Sequence, residues 1–140
     1  MKQFTLKTYR DSAEVEMNSF YILNKGMNSG RPHPKPFVNC FTFMADSPEE
    51  MEMFYWITFA AWQAKLFHPY LKGSAIPFIG IMDVTKVINE ASKRCIVNPH
   101  RVSDLLKTFH TLNQLESKYD RLAKLTIEAK RRAAFNFIKL

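Results

Sequence analysis

The chain has 140 residues, of which 46% are hydrophobic and 14% aromatic. This length and composition allow a self-sufficient core and exclude an intrinsically disordered protein, so we predict a single domain over residues 1–140. The formal net charge is +7. It favours a negatively charged partner, such as nucleic acid, anionic lipid or an acidic protein, without choosing among them.

The positive charge is concentrated in the last third of the chain. Residues 1–98 hold eleven basic and nine acidic side chains, whereas residues 99–140 hold nine basic and four acidic ones, a net +5. The same segment has no glycine and, after Pro99, no proline. We therefore predict one or two long, basic, amphipathic helices there, a shape more typical of binding or assembly than of catalysis.

The cysteines and the apolar segments bear on the compartment. Cys40 and Cys95 lie far apart in apolar stretches, which predicts buried free thiols and a reducing cytoplasm rather than a disulfide. The N-terminus alternates polar and apolar residues, unlike a signal peptide. The most apolar stretch, residues 51–62, is shorter than the roughly 20 residues of a membrane span. We predict a cytoplasmic protein without a membrane partner.

The first elements follow from periodicity. Residues 4–8 alternate with period two and predict a strand. Residues 13–27 predict a helix of about four turns that ends near Gly26; its apolar positions are Ala13, Met17, Phe20, Leu23 and Met27. Residues 28–36, with three prolines, predict a stiff extended loop. Residues 37–44 predict a strand covered on both faces, with Phe41 and Phe43 on one face and Val38, Cys40 and Met44 on the other.

Ser47 and Pro48 form a strong start signal for a helix that is apolar nearly all round as far as Phe67, which places it in the centre of the fold or in an interface. Residues 68–74 break it, and residues 75–81 predict a short edge strand. Asp83 is predicted to cap a third, amphipathic helix ending near Cys95. We thus predict a mainly helical α+β fold, with two or three short strands packed on a central aromatic helix.

The tail, which starts at Asn98 and Pro99, has apolar residues at steps of three and four. Two consecutive steps of three around Leu112 rotate this stripe, as a stammer does in a coiled coil. The segment is either one helix of about 60 Å or two helices broken near Ser117. A single helix of that length favours a kink or a partner chain.

Residues 88–106 match a helix-turn-helix pattern in which the second helix presents His100, Arg101 and Lys107 to DNA. Ile96, at the position where glycine usually forms the turn, weakens the match, and the alternative is ordinary helix packing. A second basic group further along fits a phosphate backbone, with Phe135 and Phe137 available for stacking; it consists of Arg121, Lys124, Lys130, Arg131 and Arg132. Its alternative is a solvated helix face whose apolar end docks on the core.

Catalytic and metal-binding patterns are not found. The histidines at positions 33, 68, 100 and 110 have no short spacing to each other or to the cysteines, so we predict neither a metal nor a cofactor. Cys40 is better interpreted as a buried thiol than as a nucleophile. We predict no catalytic residues.

Three segments, residues 23–32, 39–41 and 76–78, resemble a family of short proteins of unknown function from gut anaerobic bacteria. The resemblance implies a bacterial cytoplasm and a role near mobile or conjugative DNA. The favoured function is a non-enzymatic binding or accessory protein that contacts nucleic acid or an acidic protein through its basic tail. The alternative is a self-assembling module whose long helices pair between subunits, and a small enzyme without a recognisable motif is third.

Overall fold

A computed structural model describes residues 4–11 and 14–139, and the chain forms two compact units, Met1–Pro99 and His100–Leu140. The single domain therefore stays a prediction. In chain order the elements are β1 Thr5–Thr8, β2 Ser19–Leu23, β3 Pro32–His33, β4 Cys40–Met44, α1 Pro48–Gln63, a 3-10 turn at His68–Tyr70, α2 Ile81–Ile96 and α3 Pro99–Ile138.

The four strands form an antiparallel sheet in the order β1-β4-β2-β3. Phe20 lies opposite Phe43, and Ile22 lies opposite Phe41, so these apolar side chains share one face. The central strand β4 is buried at four of its five positions. This confirms the predicted strand with two covered faces, although Val38 precedes the strand and is exposed.

Phe43 is the centre of an aromatic cluster that joins the sheet to α1. Its ring centroid lies 4.4 Å from that of Phe20, 4.7 Å from that of Phe4 and 5.2 Å from that of Phe54 on α1. Stacked and tilted contacts at these distances add to the stabilisation from apolar burial. The apolar side of α2 completes the core with Val84, Val87 and Ile88. The predicted mainly helical α+β fold with a central aromatic helix is confirmed.

Helix α1 begins as predicted and ends earlier. The Ser47 hydroxyl accepts a hydrogen bond from the Glu50 amide at 3.2 Å, and Pro48 occupies the first turn. The helix ends at Gln63 because Lys65 adopts a left-handed backbone with φ +58°, in a Schellman arrangement where the Leu66 amide donates to the Ala61 carbonyl. The extension to Phe67 was wrong because no glycine marks this stop.

The predicted helix over residues 13–27 is wrong. Residues 19–23 form β2, and Asn18 immediately before them has a left-handed φ of +54°. The apolar spacing of Phe20 and Leu23 fits a helix, but Phe20 to Leu23 is an unbroken aromatic and aliphatic run that pairs along the whole of β4. Ala13 lies outside the described residues. Gly26 belongs to a turn in which its amide donates to the Pro77 carbonyl.

Two further loop predictions need correction. Within the proline-rich segment, Pro32 and His33 pair with β2 as an edge strand, where a missing proline amide is tolerated. Residues 75–81 give no strand, only single bridges from Phe78 to Lys25 and to Lys72. Helix α2 is capped by Gly80, and Asp83 lies inside its first turn. Cys40 and Cys95 form no disulfide with each other; the first is buried and the second half-buried.

Helix α3 is continuous over its 40 residues from Pro99 to Ile138, with no break at Ser117. At 1.5 Å per residue it is about 60 Å long. From Gln114 to Lys139 every residue is exposed. The second half of α3 is therefore a helix that offers all its sides to solvent or to a partner.

Candidate nucleic-acid interface

All eight residues that the sequence predicts for nucleic-acid contact lie on α3, and all are exposed. They are His100, Arg101, Lys107, Arg121, Lys124, Lys130, Arg131 and Arg132. A regular helix fixes where each side chain points around the axis, so their grouping follows from their spacing.

Helical periodicity brings four of the eight together. Arg121, Lys124, Arg131 and Arg132 fall within an arc of about 100° on one side of α3, over an axial length of about 16 Å. We call these four residues the cationic face. Lys130 lies about 150° around the axis from the centre of this face, so it does not belong to it.

The net positive charge of the tail lies wholly in the second half of α3, which carries the cationic face. From Lys118 to Lys139 there are seven basic side chains and two acidic ones, which equals the net +5 of the tail. In the first half, Arg101 and Lys107 are offset in charge by Asp104 and Glu116. A positive field therefore belongs to the second half of the helix alone.

The protein's own carboxylates neutralise the cationic face only in part. Arg132 Nη2 lies 2.8 Å from Glu128 Oε1, one helical turn away. An exposed ion pair of this kind contributes about 0–1 kcal/mol to stability, so a phosphate can replace Glu128 as the partner of Arg132. Within residues 4–11 and 14–139, Arg121, Lys124 and Arg131 form no ion pair. Three of the four cations are thus open.

His100, Arg101 and Lys107 lie in the first turns of α3, away from the cationic face along the axis. The expected turn of the helix-turn-helix lacks a left-handed residue: Ile96 lies inside α2, and Val97 at its end has φ −60°. The helix-turn-helix stays a prediction. The alternative, that the apolar end of the tail docks on the core, also stays a prediction; Phe135 is 67% exposed and Phe137 91% exposed.

A sequence model of a family of unknown function, DUF6943, matches residues 6–136. The chain belongs to the DUF6943 family. The matched region runs from β1 through nearly all of α3, so it includes the cationic face. No curated protein and no solved structure matches the chain.

In this DUF6943 protein, Cys40 has the environment of an unreactive thiol. It is 2% exposed, its Sγ donates a hydrogen bond to the Phe37 carbonyl at 3.0 Å, and burial raises its pKa. A nucleophilic cysteine needs the opposite, a lowered pKa and access to substrate. The interpretation of Cys40 as a structural thiol is consistent with this geometry.

Two grooves in the first unit are small. A groove of about 270 Å³ lies between the segment that follows α1 and helix α2, beside Tyr70 and Arg94, and one of about 280 Å³ lies beside Tyr9 and Cys40. Ligand pockets usually measure about 300–1,000 Å³. Among the described residues no three potential ligands gather as a metal site, and no helix there is long and apolar enough to cross a membrane.

Proposed function

We propose that this DUF6943 protein is a non-enzymatic binding protein that contacts nucleic acid through the cationic face of α3. The observation that carries the proposal is the grouping of Arg121, Lys124, Arg131 and Arg132 on one side of an exposed helix, with one local neutralising pair. The charge of this helix half, seven basic side chains against two acidic ones, supports the same reading.

The dimensions of the face suit a double helix. A duplex carries one negative charge per about 1.7 Å of its axis, so the roughly 16 Å of the face meets several phosphates. Three of the four residues are arginines, whose planar guanidinium groups bind phosphate oxygens in pairs. Because such contacts reach the backbone and not the base edges, the proposal is binding with little sequence preference.

The context proposed from the resemblance points the same way. A role near mobile or conjugative DNA, which the resemblance implies, would bring the protein close to DNA, and a bacterial cytoplasm is the location we propose for this chain. An acidic protein would meet the same cationic face. The two partners differ in counterion release, since a nucleic acid binds with an affinity that falls steeply and linearly on logarithmic axes as salt rises.

The test is fluorescence anisotropy of a labelled 20-base-pair duplex at several salt concentrations. The variant R121Q/K124Q/R131Q removes the three open cations. The control variant K35Q/K93Q/R94Q removes three exposed cations of the first unit and so has the same net charge. We expect the face variant to lower the salt slope by about 3, and the control to keep the slope of the unmodified protein.

Three results would overturn the proposal: no binding at about 50 mM salt, equal loss in both variants, or displacement of the duplex by polyglutamate at matched charge concentration. Circular dichroism of both variants shows whether α3 stays helical. A loss of duplex binding counts as support only when the helical signal is retained.

A further inference from the structure

The side of α3 opposite the cationic face carries an uncovered apolar stripe. Its residues recur at alternating steps of three and four, as the core positions of a coiled coil do: Leu112, Leu115, Tyr119, Leu122, Thr126, Ala129 and Ala133. All are exposed, Tyr119 by 67% and Leu122 by 57%. A contiguous apolar surface of this kind marks an interaction site.

The stripe changes in width along the helix. Its first half holds the large side chains, Leu112 to Leu122, and its second half holds small ones, Thr126 to Ala133. Two copies aligned in parallel would set large against large at one end and alanine against alanine at the other. Such layers need unequal spacing between two helices, which a straight pair does not provide.

An antiparallel pair removes this mismatch. With a two-fold axis near residue 124, Leu115 of one copy lies opposite Ala133 of the second copy, Tyr119 opposite Ala129, and Leu122 opposite Thr126. Each of these layers combines one large and one small side chain, the arrangement that gives even packing at constant helix spacing.

The charged residues beside the stripe support the same antiparallel register. Glu116 and Lys130 lie on one flank of the stripe, 14 positions apart in sequence, and neither forms an ion pair within the described part of the chain. At about 21 Å along the helix they are too far apart to meet each other. In the antiparallel register Glu116 of each copy faces Lys130 of the other copy. This gives two pairs of opposite charge, one on each side of a central contact between the two Ala123 residues.

The charges on the other flank of the stripe are less favourable, but they are compatible with the antiparallel dimer. Leu125 meets Leu125 at the axis, while Lys118 faces Arg132 of the second copy. Arg132 is already bonded to Glu128 at 2.8 Å, which reduces that repulsion. Arg121, Lys124 and Arg131 point away from the contact, so pairing leaves most of the cationic face open.

We propose that α3 pairs antiparallel with α3 of a second copy of this chain, through the part of the stripe from Leu115 to Ala133 and with the two-fold axis near residue 124. Arg121, Lys124 and Arg131 take no part in this dimer contact. It is tested without nucleic acid, so its failure is separate from a failure of the proposed function.

Charge exchange tests the register, with sedimentation as the readout of the dimer dissociation constant. E116K and K130E each place like charges together at two positions and should weaken the dimer by about 5- to 30-fold. E116K/K130E restores both pairs and should recover the original constant. A parallel dimer keeps these residues apart and shows no recovery, which would overturn the proposal.

A matched pair of variants tests the surface itself. L115E places a carboxylate in the stripe and should give a monomer, whereas S117E places it on the outward side and should leave the dimer intact. Disulfide formation settles orientation in a C95S background: L115C mixed with A133C should form the mixed dimer, with little L115C linked to itself. A monomer at every concentration, or self-linked L115C as the main product, would contradict the proposal.

Discussion

Gly30 lies directly against the ring of Phe67, so closely that a Cβ on this glycine would overlap the ring atoms. Both residues are buried, and Gly30 has a φ of +99°, a conformation that side chains rarely adopt. This contact fixes the chain after the 26–29 turn against the segment that follows α1. Arg31 continues it, with its guanidinium 4.9 Å from the centre of the Trp62 ring.

Substitution of Gly30 should be far more costly than substitution of a matched glycine. Gly26 has nearly the same backbone, φ +96°, but has no atom within 4 Å of a built Cβ. We expect Gly26→Ala to lower the free energy of unfolding by about 1–2 kcal/mol from backbone strain. Gly30→Ala adds overpacking and should lower it by about 2–5 kcal/mol. Urea denaturation measures both, and equal losses would refute the ring contact.

At Lys65 we expect a substitution to stabilise the protein. It occupies the left-handed position at the end of α1, where glycine is preferred. Lys65→Gly should raise the free energy of unfolding by about 1 kcal/mol, while Lys65→Ala, which keeps the backbone strain, should change it little. Thermal melts of the two variants provide the comparison. Equal melting temperatures for Gly and Ala would show that φ at this position is not strained.

The sequence predicts best where a local signal and the final packing agree. Ser47 and Pro48 give the start of α1 because capping is a local interaction, and the long α3 follows from periodicity and the lack of breakers. β2 was missed because its assignment depends on pairing with β4, more than 15 residues away in the chain, against a helix-like spacing of Phe20 and Leu23.

For the candidate site, the sequence supplied the residues but not their grouping. The run Lys130, Arg131 and Arg132 looks like one cluster, yet a regular helix places Lys130 about 150° around the axis from the centre of the cationic face. The grouping follows once residues 121–132 are known to lie in one regular helix. The spacing of the apolar stripe does not show that the stripe is exposed, since amphipathic spacing is the same for a covered and an uncovered helix. Only the length of the helix, about 60 Å, pointed to a partner chain.

His33 should make the protein less stable in mild acid. Burial, assisted by the nearby charge of Arg31, lowers the pKa of His33 below its ordinary value near 6.5. The unfolded chain then binds the proton more readily, so this contribution to stability is present above the unfolded pKa and is lost as the pH falls below about 6.5. Urea midpoints should drop between about pH 7.5 and 5.5, and less so in His33→Gln. An identical drop in both proteins would assign the effect to other groups.

The two cysteines should differ in reactivity. Cys40 is buried with a raised pKa, whereas Cys95 is half-buried. With a thiol reagent at neutral pH we expect Cys95 to be modified first, and Cys40 only under conditions that unfold the protein. Mass spectrometry of the digested protein identifies the labelled residue. Rapid labelling of Cys40 in the folded protein would show that its site opens.

The central claim is that the second half of α3 is the surface through which this DUF6943 protein binds its partners. Hydrogen exchange measured by mass spectrometry, with and without a duplex, tests it most directly. We predict slower exchange in peptides covering residues 118–133 when the duplex is added, and unchanged exchange in the sheet, α1 and α2. Protection confined to the first unit, or no protection at a duplex concentration that saturates binding, would contradict the claim.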